Sequence, residues 1–184
     1  MKNILPKNAW LLLLLPFVVL MASGCEKVLD LLNFKINDST SFTIPATGLL
    51  ANTALALPGV TVNSTSGTTY ASNNTTADYV QDVTLDQLTL TTTSPATQTF
   101  DFLKSISVYI ATDAAGTNKV LLASLNPVPT GQTTITLTPS GTKLDAYLRN
   151  GSYTLFSTAE LAQALPQNTT VRADSRFNVK ANVK

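Results

Sequence analysis

At 184 residues the chain is long enough for one domain with a buried core and no need of covalent staples. Its 12 basic and 11 acidic residues leave a net charge of +1, which offers no electrostatic footprint for nucleic acid. Histidine is absent and cysteine occurs once, so Ser-His and Cys-His nucleophile pairs, the commonest metal ligand and an internal disulfide are all excluded.

The chain opens with Lys2 and Lys7 and no acid, then runs apolar from Ala9 to Met21 and through Ala22, Ser23 and Gly24 into Cys25. A basic start, a short apolar run and small residues before a cleavage point are the parts of a secretory signal. A membrane-spanning helix needs about 20 apolar residues, and this run is shorter and interrupted by Pro16. Small residues leading directly into cysteine resemble the lipobox of bacterial lipoproteins, with Ala22 where leucine is usual. That resemblance implies cleavage after Gly24, acylation of Cys25 and attachment to a membrane through the lipid. It also implies an outer-membrane location, since Glu26 after the cysteine gives no retention signal of the enteric kind. The expected division is a signal peptide over residues 1–24, a lipidated tether over 25–33 and a β domain over 34–184. Two of the 12 basic residues, Lys2 and Lys7, precede Cys25, so the mature chain would be near neutral.

After the anchor, EKVLDLL (26–32) fits a tether with one helical turn. Phe34 and Ile36, then Phe42 and Ile44, alternate on either side of Asp38-Ser39, which has turn chemistry, so a hairpin or a bent single strand is expected. Asp38-Ser39-Thr40 also resembles a short O-glycosylation motif of some lipoprotein-rich bacterial envelopes, which nominates Ser39. Residues 47–76 are dominated by small and polar types and read as long loops, with a brief helix over 49–57 and a β-like piece at 60–63.

Residues 79–93 form the clearest strand. Val83 and Leu85 share one phase, Leu88 and Leu90 the other, which predicts a β-bulge at Asp86-Gln87. Strands follow at 105–111, with Ile106, Val108 and Ile110 on one face, at 119–124 after a turn over 113–118, and at 133–138. Asp113, Gly116 and Asn118 lack the repeated acids of a calcium loop. Thr142 and Asp145 suggest a capped short helix closed by Gly151, 152–156 a strand, and Ser157 with Glu160 a capping box for a helix over 158–165. The last run, 171–183, places Val171, Ala173, Phe177, Val179, Ala181 and Val183 on one face and Arg172, Asp174, Arg176, Asn178 and Lys180 on the other. The sum is an all-β fold, an antiparallel β-sandwich, Ig-like in general architecture, with one or two short helices.

Little in this chain carries reaction chemistry. No glycine-rich phosphate loop, metal-ligand set or cofactor motif is present. Asp82 and Asp86 are the nearest approach to a paired-carboxylate glycosidase, and Lys104-Ser105 would point to opposite strand faces. Tyr79, Tyr109, Tyr147 and Tyr153 could line a sugar platform or be half-buried strand residues. The basic stripe Arg172, Arg176, Lys180 and Lys184, interrupted by Asp174, is either a surface for phospholipid head groups or an acidic glycan, or a solvated face or strand edge kept soluble by charge. FTIP (42–45) and FDFLKSISVYI (100–110) resemble small β-sandwich lipoproteins of the Bacteroidota envelope. The expected role is non-enzymatic binding or scaffolding of a glycan or envelope protein, with an adhesin or fimbria-like subunit as the alternative.

Overall fold

The computed structural model describes residues 32–182. The signal, Cys25, most of the tether and the last two positions lie outside them. Eight antiparallel strands carry the fold: β1 (Asn33–Ile44), β2 (Ala54–Asn63), β3 (Val80–Ser94), β4 (Leu103–Ala111), β5 (Val120–Leu125), β6 (Thr134–Pro139), β7 (Ser152–Leu161) and β8 (Thr169–Ala181). One short helix, α1 (Ser66–Ser72), and a 3-10 turn (Phe100–Phe102) complete the elements.

The strands hydrogen-bond in the order β1-β8-β3-β6-β5-β4-β7-β2. This is jelly-roll order, two Greek keys folded over one core. β6 joins the two halves, because Ile135 and Leu137 pair with β3 whereas Thr138 and Pro139 pair with β5. The result is a nearly closed, barrel-like sheet in place of the two unlinked sheets of an immunoglobulin-like sandwich. The all-β antiparallel expectation holds. The core is filled from every strand, with Ile36, Leu88, Leu90, Ile110, Leu122, Leu137, Tyr153 and Phe177 among its most buried residues.

β8 shows why the sheet forms where it does. Its burial alternates without a break from Thr169 to Ala181, and Ser175 takes the inward position between Ala173 and Phe177. Tyr153 meets Phe177 edge to face at 5.9 Å. β8 is an interior strand, hydrogen-bonded to β1 along its whole length and to β3 on the other side. The strand-edge reading of the basic stripe is therefore corrected. In β3 the register slips between Leu85 and Gln87, where the phase change predicted a bulge, and again between Gln81 and Thr84, where Asp82 takes a φ of 51°.

Three local expectations are corrected, and one pair of alternatives is decided. Residues 33–44 form the single strand and not the hairpin, because every position from Asn33 to Ile44 has a partner on β8. The helix expected over 49–57 is absent: β2 starts at Ala54, and Asn52 turns the chain with a φ of 63° while its N–H donates to the Leu161 carbonyl. The helix expected over 158–165 is absent: residues 158–161 end β7, and Leu165 beyond it makes an isolated bridge to Thr47. Tyr153, Leu155, Ser157, Ala159 and Leu161 alternate inward, β2 and β4 pair on either side, and Glu160 reaches Lys104 at 2.9 Å instead of capping Ser157. The helix expected after Thr142 is reduced to a turn. Leu144 and Leu148 are buried as the apolar stripe predicted, but the Leu144 N–H donates to the Val83 carbonyl of β3, and left-handed Gly141 and Gly151 bracket the segment.

The real helix lies in the stretch read as loop. Ser-Gly-Thr-Thr-Tyr-Ala-Ser has weak intrinsic helix propensity, so tertiary contacts hold it. Asp38 points inward from β1, and its Oδ1 accepts the Thr65 N–H at 2.7 Å and the Thr65 hydroxyl at 3.0 Å. Tyr70 packs edge to face on Phe34 and donates its hydroxyl to the Leu148 carbonyl at 3.1 Å. Burial pushes the Tyr70 phenol up to about 12. The Tyr153 phenol is raised well above its usual range, chiefly by burial and then by the nearby Asp38 charge. Asp38 Oδ2, Ser66 Oγ and Tyr153 Oη are buried here with no aligned hydrogen-bond partner.

Candidate functional site

The outward faces of β1, β8 and β3 form one continuous polar surface. Because side chains alternate along a strand, the residues that leave the core free are Lys35, Asn37 and Ser39 on β1 and Asp174, Arg176, Asn178 and Lys180 on β8. Two of the three register slips in β3, at 81–84 and 85–87, add Asp82, Asp86 and Gln87 to that side.

Asp86 is the centre of the surface. Its Oδ2 accepts from Lys35 Nζ at 3.0 Å and from Arg176 Nε at 2.5 Å, and its Oδ1 from the Asn178 amide at 3.2 Å. The hydrogen bonds from Lys35 and then Arg176 hold this carboxyl down at about 2. Lys35 comes from β1, Arg176 and Asn178 from β8 and Asp86 itself from β3, so the knot ties the three strands together above the core. Asp82 accepts from Lys143 at 2.6 Å, which lowers its pKa; the Lys180 charge adds a smaller lowering.

Two grooves flank the knot. One, of about 360 Å³, is lined by Asn37, Ser39, Gln87, Thr89, Asp174 and Arg176. The other, of about 380 Å³, is lined by Asn33, Lys35, Asp82, Thr84, Asn178 and Lys180. Both present amides and hydroxyls interleaved with charges of each sign. Such a surface can hold a polar ligand by many directional bonds.

The acid dependence of the knot has a definite sign. Asp86 is more acidic folded than its ordinary value of 3.8, so its contribution is fully present above that value and is lost as pH falls through the folded value. In a carboxyl-carbon NMR titration Asp86 should change at about 2. In a Lys35→Ala/Arg176→Ala variant the midpoint should return toward 3.8. An unmoved midpoint would deny the knot.

The predicted site residues are distributed as follows. Cys25 lies outside the described residues. Ser39 is exposed on β1, with its hydroxyl donating to Asp174 Oδ1 at 2.7 Å, and the acid of its tripeptide, Asp38, is turned into the core. The stripe is brought together on one face, but Arg172 pairs with Asp174 at 2.8 Å and Arg176 with Asp86, which leaves Lys180 without an ion pair among the described residues. Asn178 shares the stripe's face by alternation along β8, whereas Lys35, Asn37, Asp86 and Gln87 join it only through the pairing of β1 and β3 with β8.

Other candidates separate. The four tyrosines form no platform: Tyr153 is in the core, Tyr79 is exposed, Tyr147 donates its hydroxyl to the Asn118 carbonyl, and Tyr109 lies under Lys119 on the opposite half of the barrel. Asp113 closes a turn by accepting from Gly116 N–H and Thr117 Oγ1. Among the described residues no group of three or more acidic or cysteine side chains is placed to hold a metal ion, and no helix is long and apolar enough to cross a membrane.

No family model matches the chain, and no curated protein matches it. Among solved structures it is similar to an X-ray structure of tomato aspermy virus, with 11% identity over 77% of this chain and 76% of that one, at a TM-score of 0.29.

Proposed function

We propose that the chain is a lipid-anchored cell-envelope protein with a non-enzymatic binding or scaffolding role, built on a flattened, sandwich-like barrel and placed at the outer membrane by lipid on Cys25. The observation that carries the binding half of this reading is the polar face of β1, β8 and β3, with a groove on each side of Asp86. The lipobox ending at Cys25 supports the anchoring half.

A glycan hydrolase fits the same face poorly. Such an enzyme needs one carboxyl kept protonated as the acid, whereas ion pairing holds Asp82 and Asp86 both below their ordinary range. A fimbria-like subunit would need a long strand free to donate. The strand that looked suitable, β8, is already paired on both sides.

The anchoring reading is tested by fractionating cells that express wild type and Cys25→Ala. Wild type is expected in the membrane fraction, and the variant in the soluble fraction. Equal membrane retention would overturn lipid attachment. Protease shaving of intact cells then divides the roles: loss of the β8 epitope places the domain on the cell surface, and protection until the membrane is breached places it in the periplasm.

A further inference from the structure

The charges around the second groove do not cancel. Asp86 serves two cations, Lys35 and Arg176. Asp82 likewise has two cations about it: Lys143, in direct contact, and Lys180, which lines the same groove. Four cations thus stand against two carboxylates, and Lys180 makes no ion pair among the described residues. The rest of the lining combines the amides of Asn33 and Asn178 and the hydroxyl of Thr84 with Phe34 and Val179. The first groove continues the polar lining through Asn37, Ser39, Gln87 and Thr89, but its charges, Arg176 with Asp38 and Asp174, carry no cationic excess, so recognition of a negative charge falls to the second groove. From Asp174 to Lys180 the two grooves follow β8 for about 20 Å at the rise of an extended strand, longer than a single sugar ring.

We infer that this face binds an acidic polysaccharide laid along β8, with a sugar carboxylate seated between Lys35 and Lys180 and the neighbouring rings held through their hydroxyls. The assignment rests on the binding role proposed above and names its ligand class. A recessed face lined by short polar side chains suits a narrow chain of hydroxyl-bearing rings. A flat bilayer surface meets such a recess badly. An extended peptide would draw on a backbone edge; the free edge of this face is the outer side of β1, whereas the grooves run along β8, which has none free. Single-stranded nucleic acid would want aromatic stacking partners, and the aromatic residues beside these grooves are turned to the core or lie on the other half.

The test is calorimetric titration of the purified chain with three uronate polymers, polygalacturonate, alginate and hyaluronate. Fully methyl-esterified polygalacturonate serves as the uncharged control, and phosphatidylglycerol vesicles as the lipid arm. Binding to at least one uronate is expected, weakening with rising salt. It should fall roughly tenfold or more in Lys35→Gln/Lys180→Gln and be unchanged in Lys119→Ala, which alters only the opposite half. Both altered lysines are exposed, and an unchanged thermal midpoint would show that the variant folds. Failure to bind all three uronates, or equal binding of ester and acid, would overturn the acidic-glycan assignment. Binding to the vesicles alone would overturn it in favour of a lipid-facing surface. None of these results touches lipid attachment, which the Cys25→Ala fractionation judges separately. Ester binding lost in Gln87→Ala would keep the face as a binding surface while removing the role of charge.

Discussion

Replacing Phe177 by alanine is expected to cost about 3–5 kcal/mol, the range for emptying a fully buried aromatic site. Phe177 has no exposed surface, sits on the interior strand β8 and packs edge to face on Tyr153 across the barrel. The site cannot collapse easily, because β8 is held in register by β1 and β3 on both sides. At roughly 2–4 °C per kcal/mol for a chain of this size, the thermal midpoint should fall by about 10 °C. Thr89→Ala, outward-facing on the neighbouring strand, should stay within about 0.5 kcal/mol. Chemical denaturation followed by circular dichroism separates the two. A Phe177→Ala cost near that of Thr89→Ala would mean that β8 is not the core strand described here.

The second large effect concerns Phe156, whose ring lies between two glycines. Gly59 belongs to the bulge in β2 opposite Phe156, and a Cβ placed there would fall 2.7 Å from the ring and 2.9 Å from the Thr154 methyl. Gly116, in the turn before β5, would bring a Cβ to 2.9 Å from the same ring, and its φ is +69°. Gly59→Ala and Gly116→Ala should each cost about 1–3 kcal/mol by overpacking. In a Phe156→Ala background both costs should shrink, with a coupling of about 1 kcal/mol or more. The remainders have different origins. At Gly116 the left-handed backbone still disfavours alanine, whereas at Gly59 only the Thr154 methyl still crowds it. Double-mutant cycles in urea would measure this, and strict additivity would show that the ring does not fill the space between the two turns.

How much of this could be read from the residues depended on the reach of each signal. β8 was legible because thirteen positions keep strict period two, and the β3 bulge because apolar residues change phase around Asp86-Gln87. The second half of β7 carried the same alternation from Tyr153 to Leu161, but Ser157 and Glu160 imitate a capping box, and a local pattern prevailed over a longer one. α1 was illegible for the opposite reason. Its residues are poor helix formers, and it is held by Asp38, which is 27 positions away from Thr65. The candidate site was half visible. The stripe on β8 follows from alternation alone, but Lys35 reaches Asp86 across 51 positions and Arg176 across 90, separations set by strand order and not by any local pattern.

The place of β8 in the sheet also governs how the chain comes to be folded. β1 has a single hydrogen-bonded neighbour, and the contact between Ser39 and Asp174 spans 135 positions. The first strand to emerge during synthesis therefore waits for the last before its ladder can form. Closing so long a loop must precede any reward from the contacts it brings, which puts folding among the slow, non-local cases on a scale of about milliseconds to seconds. Until then the 12 residues of β1 stand as an unpaired edge, and so does the flank of β3 that β8 will cover. Arrival of β8, more than stability of any early segment, is the event that commits this barrel to its native state.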